Sequence, residues 1–331
     1  MFKKIYFYPS KNLVVAIPVV LVTGFLLGYF FDLSFLKKYI LWATFLMIYP
    51  TMIGFKLSET VSLTHWRVLG WSLVINFVLI PLLAYLLGLG FFTAEPQLFA
   101  GLAIASLLPT SGMTISWTML SKGNVPAAIK LTVISLVLGS LLAPWYLLAM
   151  VGKYVPINIV EIFKTIVIVV VSPLILGNIT HRLLIKKYSP ERFQKELKPL
   201  FPAASVWAML FVIFSSISMK AKMILSQPEL LLISLVALVV FYLANFLVST
   251  LVGRWTMDRA DSFALVYGTV MRNLSISLGI AVTAFGAKAA LIVTLAFIIQ
   301  VQGAAWYGKL AQKYSFFPEK GVKMAAPVQE A

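Results

Sequence analysis

The sequence contains no cysteine, and acidic residues are scarce. Its 331 residues include 11 Asp and Glu against 27 Lys and Arg, and charged residues make up 11% of the chain. Soluble globular domains carry about 25% charged residues. The absence of cysteine excludes a disulfide scaffold, a thiolate metal site and a cysteine nucleophile. The low charge excludes an ordinary cytosolic enzyme.

Long apolar runs take the place of charge. Hydrophobic residues make up 61% of the chain, and the mean hydropathy is +0.96. A helix needs about 20 mostly apolar residues to cross roughly 30 Å of hydrocarbon. Ten stretches satisfy this requirement, at residues 12–31, 37–55, 67–91, 97–121, 125–151, 158–184, 200–217, 229–252, 262–284 and 288–311. The sequence therefore predicts an all-α polytopic membrane protein, with ten transmembrane helices (spans 1 to 10) in one transmembrane domain over residues 1–331.

The distribution of basic residues predicts the orientation of these spans. Lys and Arg concentrate in the N-terminal segment, after the even-numbered spans and in the tail at residues 312–331, and the longest basic loop is predicted at residues 182–199. Because cytoplasmic connections are enriched in Lys and Arg, both termini are predicted to be cytoplasmic, in a multi-pass protein of the cell (inner) membrane. The formal net charge of +16 then reflects topology and lipid headgroups rather than a nucleic-acid partner.

The chain also divides into two halves of similar organisation. Residues 12–151 and 158–311 each contain five spans, and internal repeats of this kind are common in secondary transporters. Residues 143–146 of span 5 (Ala-Pro-Trp-Tyr) correspond to residues 304–307 of span 10 (Ala-Ala-Trp-Tyr). An odd number of helices per half makes the two repeats inverted. The alternative is coincidence, since Trp and Tyr are also enriched at membrane interfaces.

Spans 4 and 9 are interrupted by polar residues near their centres. The predicted helix breaks are at Pro109 and Gly112 in span 4 and at Gly268 in span 9. Proline removes a backbone donor and glycine loosens a helix, while nearby hydroxyls satisfy the freed backbone groups or a ligand. Polar interruptions at matching positions of two repeats are the best sequence indicator of a substrate site near the membrane midplane.

Arg272 lies at the centre of span 9, and none of the acidic residues lies at a comparable depth in a span. An arginine at the membrane centre costs about 3 kcal/mol on insertion scales, so it is functional by default. A guanidinium suits a carboxylate or another oxyanion. The predicted substrate-binding residues are Arg272, Asn273, Thr110, Ser111, Thr114, Ser275 and Asn76. The alternative is that Arg272 snorkels or caps the carbonyl end of a half-helix beside Asn273.

The two halves and the segments Pro109-Thr110-Ser111-Gly112 and Met271-Arg272-Asn273 resemble the bile acid:sodium symporter superfamily, which includes the arsenite efflux carriers. The resemblance covers residues 12–311. It implies that spans 4 and 9 unwind and cross at midmembrane, and that spans 1, 2, 6 and 7 move against the other six. It further implies a secondary transporter of a small organic anion that works by alternating access, is not an enzyme and is surrounded by membrane lipids. No cofactor and no obligatory protein partner are implied.

The chain departs from the sodium-coupled members of this superfamily. Those members have a Glu where this chain has Gly268, an Asn where it has Ile115 and a Thr where it has Gly139. A possible residual ion site consists of Ser135, Met271 and Gln300. These departures argue against coupling to two sodium ions, and Na⁺, H⁺ and no coupling ion remain as alternatives.

Two alternative functions stay open. Arsenite carriers share Trp117 and the Lys122-Gly123 turn with this chain, but they have a Cys where it has Thr110. Without a thiolate the chain lacks soft ligands for trivalent arsenic, so an organic anion is favoured over arsenite or antimonite. The other alternative is a membrane receptor or sensor that keeps the carrier fold without transporting. The chain has no Walker A motif and no catalytic triad within its spans, which argues against an ATP-driven pump and an intramembrane hydrolase.

Overall fold

The computed structural model describes residues 2–54, 65–219, 221–226 and 228–318. These residues are overwhelmingly helical, and the strand-like pairing found among them is an isolated antiparallel bridge between Pro109 and Arg272. The α-helices are α1 Phe2–Lys11, α2 Leu13–Phe30, α3 Lys37–Met52, α4 Trp66–Val74, α5 Ile80–Phe91, α6 Pro96–Leu107, α7 Gly112–Leu120, α8 Val125–Val151, α9 Ile159–Ile166, α10 Ser172–Lys187, α11 Pro190–Arg192, α12 Leu200–Ser218, α13 Ala221–Ser226, α14 Pro228–Thr256, α15 Arg259–Val270, α16 Leu274–Ile280 and α17 Ala287–Lys313. A helical fold suits an apolar chain because each helix satisfies its own backbone donors and acceptors.

Short turns of wider π-helix connect or extend several of these helices. They lie at Ile75–Leu79, Val167–Val171, Phe193–Leu197 and Ala281–Phe285, and a 3₁₀ turn at Ser34–Leu36 precedes α3. The first of them joins α4 and α5 into one continuous helix from Trp66 to Phe91. A π-turn adds a residue to the helix and is frequent at functional sites.

Five helices of the described part of the chain are long and apolar enough to cross a membrane on their own. They are Trp66–Phe91, Val125–Val151, Phe193–Ser218, Pro228–Thr256 and Ala287–Lys313, and the pair α1 and α2 makes a sixth if it is counted as one span. The predicted bounds of span 5 coincide with those of α8, and those of span 10 differ from α17 by one or two residues. Length and composition thus support a multi-pass integral membrane protein.

Two parts of the structure differ from the sequence predictions. Helix α1 was not predicted, and it is held against α12 because Trp207 Nε1 donates to Tyr6 O at 3.0 Å and Tyr6 Oη donates to Leu200 O at 2.9 Å. The segment 182–199 is not simply a loop. Helix α10 continues to Lys187, and residues 190–197 form helical turns because the buried ring of Phe193 packs against His181. Residue 55 of span 2 and residues 319–331 of the tail lie outside the described residues.

The helices pack in two groups. In the first helix group, α12 packs against α1, α2 and α3, and α3 packs against α10. In the second helix group, α6 packs against α5, α8 and α17, while α15 packs against α4, α7, α8 and α14. Helix α16 contacts both groups, since it packs on α17 and on α3. The interrupted helices therefore lie within the second group and at its boundary with the first.

Glycines allow the closest approach within the first helix group. The spacing of Gly24 and Gly28 is a small-residue pattern that favours helix packing, and both glycines face α12. A Cβ atom added at Gly24 would lie 3.1 Å from Phe214 O, and one at Gly28 would overlap the backbone of Ser218. Since the obstructing atoms belong to the backbone, a larger residue at Gly28 forces the two helices apart.

We expect Gly28→Ala to destabilise the protein by about 1–3 kcal/mol, the cost of overpacking a tight interface. Thermal unfolding of the purified protein in detergent, followed by tryptophan fluorescence, measures this as a lower Tm. The matched control is Gly70→Ala, because a Cβ at Gly70 meets no described atom within 4 Å. Alanine there improves helix propensity by up to about 1 kcal/mol. Equal Tm values for the two variants would contradict the close packing of α2 and α12.

Candidate functional site

The two interrupted helices meet at their interruptions. Helix α6 ends at Leu107 and α7 begins at Gly112, while α15 ends at Val270 and α16 begins at Leu274. Asn273 N donates to Leu108 O at 2.7 Å, beside the bridge between Pro109 and Arg272. Thr110 has a positive φ of 62°, which turns the chain sharply between α6 and α7. Two helix C-termini and two helix N-termini are therefore brought to one place, which we call the crossing.

The predicted breaks at Pro109 and Gly112 coincide with this interruption, but Gly268 does not. Helix α15 continues through Gly268 to Val270, and the chain leaves the helix at Met271. Gly268 instead allows close packing, since a Cβ there would lie 2.7 Å from Leu131 Cδ1. Its carbonyl oxygen accepts a hydrogen bond from Asn76 Nδ2 at 3.0 Å. The glycine was a misleading signal because helix interiors tolerate glycine where another helix approaches closely.

Arg272 is completely buried at the crossing. Its Nη1 donates to Asn76 Oδ1 and, at 3.0 Å, to Thr269 O, and its Nη2 donates to Ser106 O. Ser106 and Thr269 lie in the last turns of α6 and α15, where carbonyl groups lack a partner within their own helix. The positive guanidinium thus lies at the negative ends of two helix dipoles. This is the capping arrangement that the sequence left open as the alternative role of Arg272.

The backbone of Arg272 is held by Gln300 of α17. Arg272 N donates to Gln300 Oε1 at 2.8 Å, and Gln300 Nε2 donates back to Arg272 O at 3.2 Å. Tyr242 Oη of α14 also donates to Gln300 Oε1, at 3.0 Å. Gln300, predicted as part of an ion site, here replaces the backbone partners that a continuous helix would have given Arg272.

Asn76 connects the crossing to α4 and α5. It lies in the π-turn between them, is fully buried, and accepts from Arg272 through Oδ1. Its Nδ2 donates to Ser72 Oγ at 3.0 Å as well as to Gly268 O. All polar atoms of this amide have partners, so its orientation is fixed. Asn76, Arg272 and Gln300 therefore form one hydrogen-bonded network, as a common site would require.

The remaining predicted residues lie on the other side of the interruptions, at the starts of α7 and α16. Thr114 is buried and receives a hydrogen bond from Ser111 N at 3.2 Å, and Asn273 Oδ1 accepts from Ile276 N at 3.3 Å. Ser275 is partly buried. Thr110 is buried, and its hydroxyl donates a hydrogen bond to Pro109 O at 2.7 Å. Ser111 Oγ is enclosed without a hydrogen-bond partner among the described residues.

Two of the predicted ion-site residues stand apart from the network. Met271 is buried, and its backbone N donates to Tyr267 O at 3.1 Å, which closes the last turn of α15. Ser135 is buried on α8, and its Oγ finds no hydrogen-bond partner in the part of the chain that is described. Sequence reasoning missed Ser106 and Thr269, because both act through backbone carbonyls that carry no side-chain signal.

These observations define an integral membrane protein with a buried, positively charged crossing of two interrupted helices. Residues 41–227 match the family model described as the sodium bile acid symporter family. The chain therefore belongs to this family, whose members are membrane transporters rather than enzymes.

Individual relatives are similar over most of the chain at low identity. The uncharacterized protein YbaS of Bacillus subtilis is 25% identical over 264 residues, which cover 78% of this chain and 83% of YbaS. The arsenical-resistance protein Acr3 of Corynebacterium glutamicum is 22% identical over 258 residues, 74% of this chain and 69% of Acr3. The probable sodium/metabolite cotransporter BASS5 of rice chloroplasts is 26% identical over 195 residues, 57% of this chain and 47% of BASS5.

We expect Gln300→Leu to destabilise the protein more than Thr294→Val, which changes an unpaired polar group on the same helix. The substitution leaves Arg272 N and Tyr242 Oη without an acceptor, at a cost of about 1–3 kcal/mol for each buried donor. The matched variant is Thr294→Val on α17. Thr294 Oγ1 is buried with no partner within the described ranges, so a near-isosteric valine is neutral or stabilising. Thermal unfolding in detergent compares the two, and a greater loss for Thr294→Val would contradict the network.

Proposed function

We propose that the protein is a secondary transporter that moves a small organic anion across the cell (inner) membrane by alternating access. The observation that carries the proposal is the crossing, where two helices break and enclose a guanidinium that has no carboxylate partner among the described residues. Membership of a transporter family supports it. The substrate class follows from the sign of the buried charge, because a formal positive charge without a carboxylate partner among the described residues attracts anions.

The proposal includes ten transmembrane helices in two inverted repeats, at residues 12–151 and 158–311, within one domain. Matched contacts support it: α5 packs on α6 as α14 packs on α15, and α7 packs on α8 as α16 packs on α17. The starts of the interrupted helices are also tied in matching ways. Asn124 Nδ2 donates to Asp261 Oδ1 at 2.7 Å, linking the start of α8 to α15, and Lys288 pairs with Glu95 at 2.9 Å, linking α17 to α6. Both termini, including the tail 312–331, are proposed to be cytoplasmic.

We place the anion at the starts of α7 and α16, opposite the carbonyl ends that Arg272 occupies. Helix N-termini present backbone N–H groups and a partial positive charge, so they bind anions. Ser111, Thr114, Asn273 and Ser275 lie there, with Thr110 and Asn76 behind them. Arg272 adds its charge from behind the crossing. Its Nε is enclosed and makes no hydrogen bond within the described part, so this N–H donor is not used by the network.

The packing of the two helix groups supports a path to this site along α7. Helix α16 packs against α3 of the first helix group and against the turn Val167–Val171. The main contacts of α7, in contrast, are with α8 and α15 of the second helix group. Gly112 is exposed at the start of α7, and a Cβ added there meets no described atom within 4 Å. Open space therefore adjoins the proposed site on the α7 side.

Arsenite or antimonite efflux is the second candidate, because one relative is named an arsenical-resistance protein. It would have to rely on hydroxyl groups such as those of Thr110 and Ser111, since the chain has no cysteine. No cofactor, nucleic acid or obligatory protein partner is part of the proposal, and membrane lipids surround the protein. The coupling ion is Na⁺, H⁺ or none, and coupling to two sodium ions is not proposed.

We expect Gly112→Leu to abolish transport while leaving the fold intact, because the side chain fills the open space beside α7. The measurement is counterflow in proteoliposomes loaded with carboxylates, sulfonates, bile acids or arsenite, each with and without sodium. The variant should reduce the rate for the transported anion by about 10-fold or more, as expected when a substrate cannot reach a productive position. Gly90→Leu is the matched control, since a Cβ at Gly90 on α5 also meets no described atom within 4 Å.

Each outcome separates the candidates. Counterflow of an organic anion that is lost in Gly112→Leu and kept in Gly90→Leu supports the proposal. Counterflow of arsenite alone favours the efflux carrier. Ligand-induced stabilisation without counterflow favours a receptor or sensor. Counterflow that is equal in both variants would mean that the substrate path does not pass α7.

A further inference from the structure

Helix α1 lies almost at a right angle to the helix that follows it. The axes of Lys3–Lys11 and Val15–Phe30 differ by 95°. Helix α2 has 18 residues and is about 27 Å long, close to the roughly 30 Å of hydrocarbon that a span has to cross. With α2 as the first span, a helix at this angle to it runs along the surface of the bilayer.

One side of α1 is fixed to the first helix group. Tyr6 makes the two hydrogen bonds to α12 described above, with Trp207 Nε1 and with Leu200 O. Pro9 lies three residues further, on the same side of the helix, and is buried. The orientation of α1 about its own axis is therefore set by the protein, and its opposite side faces outward.

The outward side of α1 is basic. Lys3, Lys4 and Lys11 are exposed, and the helix contains no acidic residue. Lys4 and Lys11 are seven residues apart, which separates them by only about 20° around the helix. Lys195 and Lys198, which precede the start of α12, are also exposed. Clusters of this kind at a membrane surface attract anionic lipid headgroups.

Apolar side chains lie next to the lysines. Ile5 is 53% exposed and Tyr8 is 56% exposed, and at three residues apart they share one side of α1. Positive-inside topology accounts for lysines at this end of the protein, but it does not account for an apolar strip beside them. A helix with a lysine edge and an adjacent apolar strip is typical of helices that lie in the membrane interface.

We infer that α1 is a binding surface for anionic phospholipids. Its lysines contact the phosphate groups, while Ile5 and Tyr8 enter the boundary between headgroups and acyl chains. Because Tyr6 ties α1 to α12, the bound lipids anchor the first helix group to one face of the membrane. The inference goes beyond the proposed function and holds whether or not the protein transports an anion.

Fluorescent labelling at single cysteines tests the depth of α1, and it is direct because the chain has no cysteine of its own. The full-length variants Ile5→Cys, Tyr8→Cys, Lys4→Cys and Lys11→Cys are labelled and reconstituted in vesicles of phosphatidylcholine and phosphatidylglycerol. We expect nitroxides on the acyl chains to quench the labels at positions 5 and 8, and aqueous iodide to quench those at 4 and 11. Val22→Cys, at an exposed position of α2, calibrates a label inside the bilayer.

Equal quenching at all four positions of α1 would overturn the inference. If all four labels were open to iodide, the helix would project into water, where a soluble partner could bind it. If acyl-chain nitroxides quenched all four, α1 would belong to a membrane span.

Thermal unfolding in detergent tests the choice of lipid. A ligand that binds only the folded state raises Tm, so phosphatidylglycerol should raise the Tm of the wild-type protein more than phosphatidylcholine does. Combining Lys3→Gln, Lys4→Gln and Lys11→Gln should move the midpoint of the phosphatidylglycerol titration to higher concentration, by about fivefold for each lysine removed. Inorganic phosphate should leave Tm unchanged, because it offers no acyl chain to the apolar strip.

The matched control combines Lys37→Gln, Lys38→Gln and Lys153→Gln. These lysines are also exposed, so the control has the same net charge as the test variant and keeps the lysines of α1. It should keep the wild-type midpoint. An equal shift in the two triple variants would overturn the inference, as would equal effects of the two lipids on the wild type, or a rise with phosphate as large as that with phosphatidylglycerol. Failure of counterflow would leave all these readings unchanged.

Discussion

Four helix ends meet at the crossing inside an apolar protein, and their unpaired backbone carbonyl and amide groups must find hydrogen-bond partners there. A continuous helix would hide every carbonyl and amide, whereas α6, α7, α15 and α16 each leave some of them unpaired. In hydrocarbon each such group is costly, so the two interruptions have to satisfy one another. The bond from Asn273 N to Leu108 O, the guanidinium of Arg272 and the side-chain amide of Gln300 supply partners for these groups. The surrounding helices bury the Arg272 side chain completely.

The side chains that support the crossing come from one packing group. Asn76, Ser106, Gln300 and Tyr242 lie between α4 and α5 and on α6, α17 and α14, all of which belong to the second helix group. The buried charge is therefore attached to that group through every one of its contacts. If the two groups move against each other, the charge moves with the second group as part of a rigid unit. The boundary with the first group, where α16 packs on α3 and α17 packs on α2 and α12, carries no comparable network in the contacts described.

Much of this architecture could be predicted from side-chain patterns. Apolar length located α8 and α17 to within two residues, and Pro109 located the break between α6 and α7. Polar residues in apolar helices marked Asn76 and Gln300, and both belong to the network around Arg272. Such residues stand out in a sequence because burial of a polar side chain is costly, whereas their predicted roles in binding a substrate or an ion stay predictions.

The features that sequence reasoning missed or predicted wrongly concern backbone groups and backbone conformation. Every residue has a carbonyl group, so nothing in the sequence singles out Ser106 and Thr269 as acceptors, and only the tertiary fold does so. Gly268 was predicted as a break because glycine serves both flexibility and close packing, and here it serves packing. The helical turns at residues 190–197 depend on the burial of one ring, Phe193, which local composition does not reveal.

The π-turn at Ile75–Leu79 has a consequence for how the chain tolerates insertions and deletions. Pro81 has no N–H to offer Phe77 O, and Tyr146 Oη of α8 donates to that oxygen at 2.5 Å instead. The additional residue of the turn sets the rotational phase between α4 and α5, which differs by about 100° for each residue gained or lost. A one-residue deletion there would preserve a helix of ordinary composition and hydropathy, yet it would rotate one half against the other. Insertions and deletions in this helix should therefore be tolerated as poorly as a substitution of Asn76.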